Sequence, residues 1–299
     1  MRGSTLACTL AAVLAVGGCS QRAQPRTSPV SPAATAPTAL RDTHELLEGT
    51  LWVQTSAEYA SLAAAAYRNG QRALDEALQD ATWTAATEQR HGFESLPPAV
   101  ILDLDETVFD NSPMQAQLVL DRTVYSRPLW KKWVDRREAG LVPGAKAFLD
   151  YAASHGVKVL FVTNRRRGQA ADGSDDEEKP TIDNLNALGI IATDDVVLCA
   201  GENGWTSDKT DRRAVIAQTH RILLLVGDDL NDFISTGALT PAQRRDLAAR
   251  YESRWGERWV LIPNPLYGSF DSAAVALPPN TPDGEVLRKK RSVLRGFSN

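Results

Sequence analysis

The chain has 299 residues, 43% hydrophobic and 23% charged, with 33 Lys and Arg against 37 Asp and Glu and a net charge of −4. That length supports one large domain or two small ones with an adequate core, and the composition is far from the disordered class. The charge balance leaves no basic footprint for a nucleic-acid polymer, and no stretch reaches the roughly 18–20 apolar residues of a membrane span.

At the N-terminus, Arg2 precedes a short apolar run from Leu6 to Val16, closed by Gly17-Gly18-Cys19. A positive start, a short apolar region and small residues before a cut read as an export signal over residues 1–18. The tetrapeptide Val16-Gly17-Gly18-Cys19 resembles a bacterial lipobox, which implies lipidation of Cys19 and a membrane partner held through that lipid. Ser20, where an aspartate would signal retention, implies the outer membrane; an ordinary cut with Cys19 incidental is the alternative. Cys8 leaves with the signal and lipid consumes Cys19, so Cys199 has no partner for an internal disulfide. It sits in the apolar run 196–199 and reads as a small buried hydrophobe. Residues 19–41, with Pro25, Pro29, Pro32 and Pro37 among Ala, Ser and Thr, form a tether reaching on the order of 70 Å if fully polyproline-like.

The folded part starts near Asp42, where Asp42 and Glu45 have capping-box spacing. Up to about Arg90 the apolar spacing is helical, through Leu46, Leu51, Ala57, Leu62, Leu74 and Ala77, with Gly70 expected to separate two helices. Trp52, Tyr59 and Tyr67 read as packing residues. Beyond, short apolar runs at 99–102, 157–162, 196–199, 222–226 and 259–262 alternate with helical stretches. Such runs imply strands of a parallel sheet covered on both faces. The expected architecture is an α/β domain over residues 42–285: a doubly wound parallel sheet flanked by helices, with a helical N-terminal extension. Residues 286–299 read as a polar tail and the acidic stretch 172–179 as a solvated loop.

Chemistry follows the strands. The first run leads into Asp103-Leu104-Asp105-Glu106-Thr107, the second into Thr163-Asn164-Arg165, and the third, after a loop, into Lys209 and Arg212. The fourth leads into Gly227-Asp228-Asp229-Leu230-Asn231-Asp232. In open α/β sheets ligands bind outside the carboxyl ends of the strands. Asp103 and Asp105, two apart on a strand end, project in similar directions and repel unless a cation compensates. With Asp228 and Asp232 they make an oxygen-rich pocket suited to Mg2+. Lys209 supplies a point charge, and Thr163 and Asn164 can donate to phosphate oxygens. Asp229 competes with Asp228 for the metal.

The segment Asp103-Leu104-Asp105-Glu106-Thr107-Val108-Phe109-Asp110-Asn111-Ser112 resembles motif one of the haloacid-dehalogenase (HAD) superfamily, closest to the class C acid phosphatases of the lipoprotein e family. Thr163-Asn164-Arg165, Lys209 and the Gly227–Asp232 segment resemble its other three motifs. Trp52 to Tyr59 and Pro263-Asn264-Pro265-Leu266-Tyr267-Gly268 resemble its flanking segments, so the likeness runs from about Leu46 to Phe270. It implies a HAD-like fold with cap-like insertions and an acid phosphatase that hydrolyses small phosphomonoesters. Asp103 would be the nucleophile and Asp105 the proton carrier, with Thr163, Asn164 and Lys209 on the phosphoryl group. One Mg2+ would be held by Asp103, the main-chain carbonyl of Asp105 and Asp228, with Asp232 as a second or alternate ligand. Trp130 and Tyr267 match positions that flank a nucleotide base or nicotinamide ring, which makes 5′-nucleotides or nicotinamide mononucleotide the expected substrates. A second copy of the chain is a candidate partner. Two alternatives remain: a surface lipoprotein for haem or cofactor uptake on the same fold, and a sugar-phosphate phosphatase or phosphotransferase. Arg90-His91-Gly92 lacks the rest of a histidine phosphatase motif, and His44, His155 and His220 adjoin no motif.

Overall fold

The five apolar runs become neighbours because each must be buried on both faces. The computed structural model describes residues 44–168, 175–278 and 280–297. The signal peptide, Cys19, the tether, Asp42 and residues 172–174 of the acidic stretch lie outside the described residues. The chain begins with α1 (Leu47–Thr55) and α2 (Ala57–Gln79), then enters β1 (Pro98–Leu102). A long insertion follows: β2 (Phe109–Asp110), α3 (Ser112–Leu120), α4 (Arg127–Arg136), β3 (Gly140–Leu141) and α5 (Ala145–Ser154). The alternation resumes with β4 (Lys158–Arg166), α6 (Glu178–Ala187), β5 (Val197–Ala200), α7 (Thr210–Ala217) and β6 (Arg221–Gly227). It closes with α8 (Leu230–Phe233), α9 (Pro241–Arg250), β7 (Trp259–Leu261), α10 (Ser269–Val275) and α11 (Asp283–Ser292).

The main sheet has the order β5-β4-β1-β6-β7, and all its pairs are parallel. Along β1 the strand period sends Val100 and Leu102 into one apolar cluster and Ala99 and Ile101 into the other. β6 is buried along its whole length, as a central strand covered twice must be. The chain builds outward from β1 to β4 and β5, then crosses to the other side for β6 and β7. This reversal of order opens a crevice at the carboxyl ends of β1 and β6, the place where such sheets bind ligands. β2 and β3 pair antiparallel within the insertion.

Three expectations are corrected. The described end of the acidic stretch is not a solvated loop: Glu177 and Glu178 are buried, Glu177 accepts from Arg127 at 2.6 Å, and Glu178 opens α6. Gly70 does not divide the N-terminal helices: α2 runs through it, and the break lies at Ser56, whose side chain accepts the Tyr59 amide at 3.0 Å as N-cap. Gly70 instead permits close packing, since a Cβ there would lie 3.2 Å from the Phe148 ring and 3.3 Å from Val260. Nor is 286–299 simply a tail. The boundary expected at 285 falls inside α11, where Lys290 pairs with Asp271 at 2.8 Å and Glu45 at 3.3 Å. Its Lys- and Arg-rich composition hides an inward face. Helix α2 also reaches the crevice: the Tyr67 hydroxyl, fully buried, donates to the Thr107 carbonyl at 2.6 Å.

Candidate active site

The β1–β6 ladder continues into the first aspartate, whose amide donates to the Val226 carbonyl at 2.9 Å. Leu104 is fully buried in the core, so by strand alternation Asp103 and Asp105 face the opposite way. At Glu106 the backbone turns left-handed, with φ 60, a conformation that costs a side-chain-bearing residue about 1–2 kcal/mol. The turn is held from both sides. Amides of Val108 and Phe109 donate to the Leu104 carbonyl at 2.8 and 2.7 Å, and the Glu106 carboxylate accepts from the Asn111 amide at 3.2 Å, from its side chain and from the Tyr267 hydroxyl. Burial, reinforced by the nearby Asp105 charge, pushes the Glu106 carboxyl up to about 8.

Asp103, Asp228 and Asp232 each offer an oxygen within 4.8 Å of the others. Lys209 joins two of them, donating to Asp103 and, at 2.7 Å, to Asp232. The other Asp232 oxygen accepts the backbone amides of Asp228 and Asp229 at 3.1 and 2.9 Å, so this residue anchors both the loop and the lysine. Gly227 makes that possible, because a methyl there would overlap Asp232. Asp228 accepts from Thr107 at 3.1 Å and Asn264 at 2.7 Å. Asp229 is turned elsewhere: it caps α8 and accepts the amides of Asn231 at 2.9 Å and Ser269 at 2.6 Å. Of the two, Asp228 is the one with an oxygen in the cluster with Asp103 and Asp232.

Burial raises Asp103 to about 7 against the opposing pull of Lys209. Burial, then Asp232 and Asp103, lifts Asp228 well above the ordinary carboxylate range. Desolvation alone would lower Lys209, but the carboxylates of Asp103 and Asp232 raise its ammonium above an ordinary lysine. Carboxylates that are raised because they are buried together are a site short of positive charge. An all-oxygen donor set fits a hard divalent cation.

Asp105 stands apart from this cluster. Its Oδ1 accepts from Arg165 Nη2 at 2.7 Å, Arg165 Nε at 3.0 Å and the Asn111 side chain at 2.9 Å, while Oδ2 has one longer contact at 3.3 Å. Arg165, 1% exposed at its side chain, is itself fixed by Thr181 at 3.0 Å and lies over the rings of Phe109 and Trp130 at 4.6 and 5.4 Å. Thr163 differs from expectation. It is fully buried, its hydroxyl accepts the Arg165 amide at 3.1 Å, and it is not among the residues lining the cavity. Asn164 is exposed, and Arg212 donates to its Oδ1 at 2.8 Å, leaving the amide N–H groups for a ligand. Lys209, Arg212 and Arg213, spaced i, i+3, i+4 at the start of α7, form one face that serves all three segments.

A cavity of about 870 Å3 is lined by Asp103, Asp105, Asn164, Lys209, Asp228 and Asp232, and by Trp130 and Tyr267 as well. Trp133 is not on its wall; its indole donates to Asn111 at 2.8 Å. His44 does line the cavity, its ring bonded to the Thr123 carbonyl at 2.9 Å. His91 sits exposed in the loop before β1, and Cys199 is buried.

This arrangement has known counterparts. Residues 5–270 match the family described as HAD superfamily, subfamily IIIB (Acid phosphatase). The chain belongs to that family. The class C acid phosphatase from Bacillus anthracis is 31% identical, with a TM-score of 0.73 over 85% of this chain and 98% of that one. A second structure of it, with tungstate bound, matches at 30% identity and the same TM-score. This subfamily IIIB protein is therefore a phosphomonoester hydrolase with the HAD-like sheet. Glu106, Asn111 and Asn264 escaped sequence reasoning. All three lie inside segments that resemble the family, but their importance comes from partners 36 to 161 positions away or from one turn's geometry.

Proposed function

We propose that this acid phosphatase is Mg2+-dependent and acts on 5′-nucleotides or nicotinamide mononucleotide through an aspartyl-phosphate on Asp103. The observation that carries the reading is that the carboxylate cluster, Lys209 and Asn164 share one cavity with Trp130 and Tyr267. A relative at 30% identity binds tungstate, a tetrahedral oxyanion of the shape of phosphate.

Asp103 attacks phosphorus while the leaving oxygen takes a proton from Asp105 Oδ2, the less engaged oxygen of that carboxyl. Asp105 then takes a proton from water, which attacks the same phosphorus and frees Asp103 and inorganic phosphate. Lys209 and the Asn164 amide hold the phosphoryl oxygens as charge shifts. Asp103, the Asp105 carbonyl and Asp228 would hold Mg2+, with Asp232 as a second or alternate ligand. When bound, the ion supplies charge neutralisation at the phosphoryl group. Trp130 and Tyr267 offer aromatic faces to a ring on the leaving group; stacking tolerates different bases and contributes about 1–3 kcal/mol per face.

We also propose, from Val16-Gly17-Gly18-Cys19 and the Ser20 that follows it, that Cys19 carries lipid and holds the enzyme at the outer membrane, facing the periplasm or the cell surface. Fatty-acid labelling of the native chain, lost in Cys19→Ala, tests the anchor. The catalytic reading is tested by steady-state rates over nucleoside 5′-monophosphates, nicotinamide mononucleotide and sugar phosphates, with Mg2+ and after its chelation. Equal rates with and without the ion, or preference for sugar phosphates, would overturn it.

A further inference from the structure

The match to the family extends to residue 270, yet the cavity wall extends beyond it. Val286, Leu287 and Lys290 of α11 are half-buried and line the same cavity as the catalytic carboxylates, while Arg288 and Lys289 point to solvent. Positions i, i+1 and i+4 fall within about 100° of the helix, the width of an apolar stripe, and this stripe is the one turned inward. Lys290 fixes it in place through Asp271 on α10 and Glu45 ahead of α1, at 2.8 and 3.3 Å.

The wall has a definite chemical character. A cavity of about 870 Å3 is far more than a phosphate needs and lies within the roughly 300–1,000 Å3 of pockets that enclose drug-sized ligands. Among the residues lining the cavity, the cations Arg122, Lys290 and Arg291 are matched in number by the acids Glu45, Asp271 and Asp283, so these groups add no net charge that would select a second anionic group. What remains uncancelled is apolar surface.

We propose that α11 is a specificity-determining wall for the leaving group, selecting phosphomonoesters with a large, mostly apolar body over small polar ones. Val286 and Leu287 supply the contact surface, and Lys290 is a positioning residue that holds the helix against the cavity. The inference rests on the cavity being the phosphatase site but not on the leaving group being a nucleotide.

The test compares kcat/KM for 1-naphthyl phosphate with that for glycerol 2-phosphate in the full chain with Mg2+. In a Val286→Ser, Leu287→Ser double variant the naphthyl-to-glycerol ratio should fall about tenfold, as expected when apolar contact is removed from a pocket, with the loss in KM rather than kcat. Lys290→Ala should move the ratio the same way, whereas Arg288→Ala and Lys289→Ala, on the solvent face, should not. A ratio within twofold of wild type in both the double variant and Lys290→Ala would overturn the wall, as would a loss confined to kcat. Wild-type protein that turns over neither ester would sink the phosphatase reading itself, and the wall with it.

Discussion

Arg165 and Asp105 form a two-pronged ion pair in which both nitrogen contacts converge on one carboxylate oxygen, at 2.7 and 3.0 Å. The other oxygen keeps only a longer contact to Arg165 Nε at 3.3 Å, which suits it to the proton transfer proposed for Asp105. Lysine would keep the positive charge but lose the fork. In Arg165→Lys, kcat should fall about tenfold or more, as a misplaced general acid would cause. The loss should be larger for alkyl phosphates than for p-nitrophenyl phosphate, whose leaving group needs no proton. A loss independent of leaving-group basicity would separate Arg165 from the acid.

Asp103→Asn keeps the shape of the proposed nucleophile and removes its charge. Turnover should drop by several orders of magnitude, on the scale of losing a covalent nucleophile. The circular dichroism spectrum should be unchanged, because Lys209 retains Asp232 at 2.7 Å. Near-normal activity would overturn the assignment.

Proton linkage gives a pH signature. Without a cation, Asp103 moves from 3.8 to about 7 and Glu106 from 4.5 to about 8 on folding. Raised carboxyl groups mean that the folded state holds more protons than the unfolded one between those values. Their contribution to stability is full below the unfolded values and is lost as pH rises to about 7 and 8. With chelator present, Tm should decline across this window; added divalent cation should reverse the decline and release protons. Calorimetric titration in two buffers of different ionisation enthalpy should show more protons released at pH 6 than at pH 8. Equal release would contradict the raised values.

Gly227→Ala adds one methyl where Asp232 must sit. The expected result is a substantial loss of kcat through displacement of Lys209, with destabilisation of about 1–3 kcal/mol from overpacking. Denaturant unfolding and steady-state rates measure the two effects. A fully active variant would show that Asp232 is not needed where it stands.

Both aromatic residues should discriminate between substrates. Tyr267→Ala should raise KM for nucleotides about tenfold, the loss of one stacked face, and should also lower kcat for every ester through the lost bond to Glu106. Trp130→Ala should weaken nucleotides more than small esters and also lower kcat, because Trp130 backs Arg165 at 5.4 Å. Equal losses for both substrate types would remove either residue from ring binding.

The strands were readable because sustained burial leaves uninterrupted apolar runs: each expected run overlaps an observed strand within a residue or two, except that β4 continues to Arg166. Three of the four candidate segments stood out because they follow those runs directly, whereas Lys209 comes a loop after β5 at the start of α7. Other features left no local trace. Asp228 and Asp229 are the same residue type side by side, and only the helix that Asp229 caps tells them apart. Glu106 depends on a left-handed turn that no sequence rule assigns to glutamate. Helix α11 hides a two-residue apolar face among Arg288, Lys289, Lys290 and Arg291, and β2 and β3, two residues each, are too short for any periodicity.

The bond from Tyr67 to the Thr107 carbonyl makes the leading helices a strut for the catalytic loop rather than a spacer ahead of it. A shortened protein starting at β1 would retain every charged group of the reaction centre and still lack the brace under Thr107, and so under Asp228. A fragment meant to keep this brace would have to include α2 from Ala57 onward, a boundary set by a phenol rather than by a carboxylate.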